Sequence, residues 1–214
     1  MFGKQALIWL STLSFLIPLL GGCSTLRVGG EFQSGRQALL KGNADAAVRY
    51  LTAAAEQNPK YVYVIENYRE SVWTELGRAQ YETKRYREAR QSFEKALAMN
   101  RDDSMAKLYL GVLLVRSGQM HRGEKNLKDG MNGLSDWIEY MNRTQPFQAF
   151  WDPTHEIRKE IGQALAISSS PNVHRQQMIA DAEWIGKKFE EELDNVRGDE
   201  RREFERDNER DRLS

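Results

Sequence analysis

The chain contains a single cysteine, Cys23, and its setting is the first chemistry to weigh. A lone cysteine can form no internal disulfide and no cysteine-based metal cluster. It follows a mostly apolar run, residues 6–20, with Lys4 ahead of the run and Gly21-Gly22 behind it. That run is shorter than the roughly 20 residues a membrane-spanning helix needs. A positive residue, a short apolar core and small residues before a cut are the layout of a cleaved export signal. Residues 1–22 are therefore expected to be a signal peptide.

The other reactive side chains form no constellation. His121, His155 and His174 fall in separate segments, and none has a second histidine four residues on. His155-Glu156 is followed by Lys159, where a zinc-binding H-E-x-x-H helix would carry its second histidine. Neither a G-x-x-x-x-G-K phosphate loop nor a G-x-S-x-G nucleophile elbow occurs. The acids are spread along amphipathic segments, as solvation requires. We expect no enzyme, no metal, and no cofactor beyond lipid on Cys23. Lys+Arg and Asp+Glu both total 31, with no basic patch clear of neighbouring acids, so nucleic acid is not an expected partner.

Leu20-Gly21-Gly22-Cys23 resembles the lipobox of bacterial lipoproteins. The resemblance implies that the Cys23 thiol takes a diacylglycerol and that cleavage before it frees an amine for a further acyl chain. Each buried methylene contributes about 0.8 kcal/mol, so two or more chains anchor a protein stably. Ser24, rather than Asp, follows the cysteine. By the same resemblance this implies the outer membrane, periplasmic face.

The elements behind this anchor are repeats. Residues 73–96 carry Trp73-x-x-Leu76-Gly77, then Tyr81 and Tyr86, then Ala89-x-x-x-Phe93 and Ala96. This resembles the tetratricopeptide repeat, with Gln80 where the pattern has Tyr and Arg101 where it has Pro. Small residues at the crossing of two helices, with large ones filling the gaps, are what a close helical hairpin demands. In the same register 34 residues on, Leu110-Gly111, Gly123, Leu127 and Gly130 recur, with Gly118 at the turn. Upstream, Gly35, Gly42-Asn43 and Ala47-x-x-x-Leu51-x-x-Ala54 form a copy set off by 42 residues. Tyr61, Ile65, Tyr68, Val72 and Leu76 keep helical spacing through the extra eight residues. The expected consequence is a helix that starts about two turns early; Val62, Val64 and Ile65 also permit a strand.

The implied fold is all-α, a tetratricopeptide-type superhelix of about three helical hairpins with a helical C-terminal cap and a long charged C-terminal helix. We divide it as an array over 23–134 (about 28–61, 62–103 and 104–134), an aromatic capping region over 135–170, and a long helix with a charged tail over 171–214. After a short helix over 135–143, Trp137, Phe147, Phe150 and Trp151 are expected to seal the last repeat. Asp152 with Pro153 should open a helix running to about Ala166. Ser170 with Pro171 should open the long helix, whose Ile179, Ala182, Ile185, Phe189, Leu193 and Val196 form one stripe. That stripe fits either an intramolecular seam or self-association.

In tetratricopeptide arrays the first helix of each hairpin lines a concave face where partners dock. The resemblance places Arg36, Thr74, Arg78, Tyr81, Glu82, Leu108, Val112 and Arg116 on that face. Such a groove suits an extended peptide, unless the chain's own cap or C-terminal helix fills it. The functional expectation is an adaptor or scaffold binding proteins of an envelope assembly, pilus or secretion system. The alternative is a ligand-binding accessory of a transport system, with a closed pocket between array and cap.

Overall fold

The computed structural model of the chain describes residues 22–144, 151–168 and 175–213. Residues 1–21 of the expected signal peptide, Phe147, Phe150, Ser170 and Pro171 lie outside them. The array is built from α1 (Gly22–Leu40), α2 (Ala44–Gln57), α3 (Val72–Glu82), α4 (Tyr86–Met99), α5 (Ser104–Arg116) and α6 (Met120–Thr144). Consecutive helices pack on one another throughout. Beyond it come α7 (Glu156–Ser168) and α8 (Arg175–Leu213). The described residues thus form an all-α, tetratricopeptide-type superhelix.

Local chemistry sets these helices. Asn43, Ser71 and Asp103 are N-caps whose side chains accept from Ala46, Thr74 and Ala106 N–H. Each hairpin turn has one left-handed residue, at Gly42 (φ +74°), Lys84 (φ +61°) and Gly118 (φ +83°). The N–H of the residue after it bonds back to the last helical turn: Asn43 to Ala38, Arg85 to Gln80 and Gln119 to Leu114, at 2.8–2.9 Å. The three turns are therefore one structure repeated, although only two carry the glycine it favours.

The repeat register is written in the close contacts between helices. A Cβ at Gly77 would lie 2.6 Å from Phe93, and one at Gly111 2.8 Å from Leu127. Gly35 meets Leu51 in the same way. In all three hairpins a glycine of the first helix receives the large residue 16 positions later. The weak upstream copy is thus a full repeat.

Three expectations are corrected. First, residues 62–71 are a hairpin, not early turns of helix: β1 (Val62–Ile65) pairs antiparallel with β2 (Tyr68–Ser71), and Glu66 at φ +48° turns the chain. Apolar spacing admitted both structures, and tertiary packing decided. Tyr63, Ile65, Tyr68 and Glu70 share one buried face, with Val64 and Arg69 outside. Phe32 of α1 packs on Tyr61 and Tyr63, while Tyr68 packs on Trp137 and Phe189. An isolated two-stranded ribbon is marginal in water, so these contacts hold it.

Second, α6 runs unbroken to Thr144, because Leu134, Trp137, Ile138 and Met141 continue the stripe of Leu127 and Met131. Third, α7 begins at Glu156, not at Pro153. Asp152 does cap it, but from φ +50°, accepting from Ile157 and Arg158 N–H at 3.0 and 3.1 Å. Among the expected sealing aromatics, Trp137 and Trp151 meet edge to face at 4.4 Å and are both buried.

Candidate functional site

The concave face is where the expected site residues converge, and α8 already lies in it. It runs antiparallel to α1: Glu190 meets Arg36, Asp194 meets Gln37, and Arg197 meets Gln33. It crosses α5 where a Cβ at Gly186 would lie 2.8 Å from Tyr109. Met178, Ile179, Ala182, Ile185, Phe189, Leu193 and Val196 are all buried against the array and cap. The stripe left open between self-association and an internal seam is spent inside the chain.

Six of the eight expected groove residues are buried: Arg36, Thr74, Arg78, Tyr81, Leu108 and Val112. Glu82 and Arg116 remain at the rim. Thr74 serves the fold: its hydroxyl donates to Asp103 at 2.6 Å and pairs with Ser71 at 3.0 Å, tying the N-caps of α3 and α5 together. Burial pushes the Asp103 carboxyl up to about 6. Leu108 turns its backbone to Gly130 of α6. Its neighbour Tyr109, one position on, is the residue set against Gly186 of α8, and repeat spacing does not single it out.

Two acids of α8, seven residues apart, engage the basic residues of the face. At the rim Arg116 Nη2 donates to Glu183 at 2.6 Å and Arg116 Nε to the Tyr81 hydroxyl at 2.8 Å. Tyr81 in turn donates to Glu183. Deeper, Arg36 Nη2 donates to Glu190 Oε2 at 2.7 Å, with Arg78 Nη1 3.3 Å from the same oxygen. Arg78 also holds Glu75 Oε1 at 2.8 Å, and Arg36 Nε lies 3.6 Å from it. Glu70 of β2 completes the group, and all five side chains belong to residues no more than 7% exposed. Burial acts to raise the Glu190 carboxyl, but Arg78 and Arg36 hold it below the usual carboxylate range.

Sequence reasoning identified the basic half of this network and missed Glu70, Glu75, Glu183 and Glu190. The available signal was weak: Glu183 and Glu190 directly follow Ala182 and Phe189 of the apolar stripe, and Glu75 precedes Leu76. Arg36 and Arg78 pair with Glu75 and Glu190 in an ion-pair network joining α1, α3 and α8, with Glu70 of β2 alongside.

Whether α8 can leave the groove is a question of magnitude. Each large apolar side chain it buries is worth about 1.5–3 kcal/mol. The six large residues of its buried stripe (all but Ala182) sum to on the order of 10 kcal/mol, comparable with the whole stability of a typical domain. The helix is part of the core, and the groove is not an open peptide channel. Between array and cap, the cavity lined by Leu127, Met131, Ala164 and Met178 measures about 10 Å³, room for about one water. Among the described residues no helix is long and apolar enough to cross a membrane.

No match to a curated protein is found. A tetratricopeptide repeat family model matches residues 74–122, from the first turn of α3 into the start of α6. Residues 74–122 thus match in sequence the repeat whose packing recurs in all three hairpins: the chain carries tetratricopeptide repeats.

Proposed function

We propose that this protein is a lipoprotein held on the periplasmic face of the outer membrane by acyl chains on Cys23, where it acts as a non-enzymatic scaffold for an envelope assembly, pilus or secretion system. The observation that carries the scaffold role is the tetratricopeptide array itself, whose repeats suggest protein partners. The lipobox-like Leu20-Gly21-Gly22-Cys23 supports the anchor. Cys23 stands in the first turn of α1, and Val28 of the same helix is already in the core. An acylated Cys23 would therefore set the array directly on the bilayer, without a spacer.

With α8 seated in the groove, we assign partner binding to the outer surface of the array. Tyr50 on α2, Met99 on α4 and Tyr140 on α6 stand exposed there. Each lies on the second helix of its hairpin. Exposed aromatic and methionine side chains are the residue types that anchor protein interfaces.

Two measurements test this reading. Metabolic labelling with an alkyne fatty acid should mark the wild type in outer-membrane fractions and leave Cys23→Ser unlabelled; a labelled variant, or wild type outside the outer membrane, defeats the anchor. Crosslinked purification of the acylated protein should recover one envelope component that is lost with Tyr50→Ala/Met99→Ala/Tyr140→Ala. Equal recovery by that variant would remove the outer surface from consideration.

A further inference from the structure

Glu70 is the one member of the buried charge network that neither guanidinium bonds. Arg36 and Arg78 hold Glu75 Oε1 and Glu190 Oε2. Both oxygens of Glu70, together with Glu75 Oε2 and Glu190 Oε1, have no protein hydrogen-bond partner. Carboxylate oxygens of the three acids lie within 4.8 Å of one another. Fully ionised, two arginines and three glutamates carry one negative charge too many. In a region where Glu70 and Glu75 are 0% exposed, water cannot screen that charge. A proton cancels it, and it turns one of several facing acceptors into a donor.

We propose that Glu70 is a neutral carboxylic acid hydrogen-bonded to the Glu75–Glu190 pair, and that its ionisation loosens β2 from α8, so that closure of the concave face is gated by pH. This goes beyond the scaffold role and does not depend on it. The hairpin is the element most exposed to such a change, since it is short and held by its contacts with α1, α6 and α8. Its inward face places Glu70 against the four other charged members of the network, Arg36, Glu75, Arg78 and Glu190.

The groups around Glu70 allow its titration to be read separately. From α1 it meets Arg36, from α3 Glu75 and Arg78, and from α8 Glu190. Tyr63 on β1 lies under Arg36 and Arg197, with Tyr68 beside Glu70 on β2 and Tyr109 under Arg78. Burial pushes Glu70 well above the usual carboxylate range, and Glu190 and Glu75 push the same way. Burial raises Tyr63 and Tyr68 as well, and pushes Tyr109 up to about 12. Asp103, raised to about 6, is still partly protonated at the acid end of the neutral range, and Glu190 is lowered. Among these carboxyls Glu70 is the one held well above its usual range and Glu190 the one held below, so a neutral-to-alkaline titration distinguishes the two.

The sign follows from proton linkage. A folded-state value above the unfolded one means the folded chain holds a proton the unfolded chain has lost, so stability falls as pH rises until Glu70 ionises. The experiment is thermal unfolding of the full-length acylated protein in detergent, wild type beside Glu70→Gln, from pH 6.5 to 9. The wild type should lose roughly 3–5 °C per pH unit relative to the variant. Glu70→Gln, isosteric with the protonated acid, should be flat by comparison and the more stable of the two at pH 9.

Equal slopes overturn the proposal. So does recovery of wild-type stability at pH 9 by calcium or magnesium chloride alone, since a cation would then stand in the proton's place. Infrared titration of glutamate-labelled wild type gives a reading that needs no variant. A protonated-carboxyl band should be present at pH 6.5 and fade on alkaline titration. Absence of that band at pH 6.5 overturns the proposal. Hydrogen exchange should rise with pH in residues 62–71 of the wild type, beyond the intrinsic base catalysis; protection unchanged after the carboxyl band has faded removes the gating.

Discussion

Glu190→Gln asks how firmly α8 is locked into the concave face. Glu190 is the acid on which Arg36 and Arg78 converge, at 2.7 and 3.3 Å, with side-chain exposures of 2%, 1% and 9% for the three groups. Glutamine keeps the shape and one carbonyl acceptor but leaves the two guanidinium groups facing a single remaining ionised partner, Glu75. Breaking a buried pair by neutralising one side costs about 3–5 kcal/mol, because the surviving charge stays in a region it cannot leave. The internal comparison is Glu183→Gln on the same helix, where Arg116 and Glu183 are each 37% exposed. A solvent-exposed pair is worth at most about 1 kcal/mol. Equilibrium urea unfolding of both variants should therefore separate them by roughly 2–4 kcal/mol, with unchanged denaturant dependence. Replacing Arg36, Arg78, Glu75 and Glu190 together by apolar residues of similar volume should recover much of the loss. A Glu190→Gln variant within 1 kcal/mol of wild type (the ~1 kcal/mol scale of an exposed pair) would refute the claim that α8 is held by buried charge.

Four further substitutions have outcomes set by the geometry. Gly77→Ala drives a methyl to 2.6 Å from Phe93 and should cost about 1–3 kcal/mol by overpacking. Exposed Gly30→Ala in α1 meets nothing within 4 Å and should gain about 0.5–1 kcal/mol; thermal melts of the pair would show opposite signs. Lys84→Gly relieves a left-handed residue at φ +61° and should stabilise by up to about 1 kcal/mol in the same melts, against the unfolded-state entropy that glycine adds. Asp103, raised by burial to about 6, stabilises the fold below its unfolded value and loses that contribution as pH climbs to about 6. Asp103→Asn should accordingly flatten the stability profile between roughly pH 4 and 6, measured by urea midpoint; an unchanged slope would show that the carboxyl is not held high.

Much of the fold was legible because helical repeats are local. The 34-residue register, Gly118 at a turn and the glycines facing Phe93 and Leu127 can all be read along the chain. They depend on which small residue stands 16 positions before which large one. The hairpin over 62–71 was not legible in this way. Tyr61, Ile65, Tyr68 and Val72 satisfy a helical period, while Val62, Val64 and Ile65 favour a strand. The choice fell to Phe32, Trp137 and Phe189, which belong to three other helices. The site divided along the same line. Arg36, Arg78, Tyr81 and Arg116 could be placed on the inner face from repeat position alone. That Arg36, Arg78 and Tyr81 are buried, and that Arg116 is paired at the rim, depends on α8, which is distant in sequence from each of them.

What the sequence by itself determined is the unit of construction: small residues at helix crossings and an apolar stripe on the last helix that had to be buried somewhere. What only the tertiary structure decided is where that stripe went. A stripe specifies that a face must leave water and does not specify its partner, because hydrophobic burial has no direction. The partner was chosen by pairing Glu183 and Glu190 with basic residues from distant repeats, and that pairing exists only once the superhelix has curved to bring those residues onto one face.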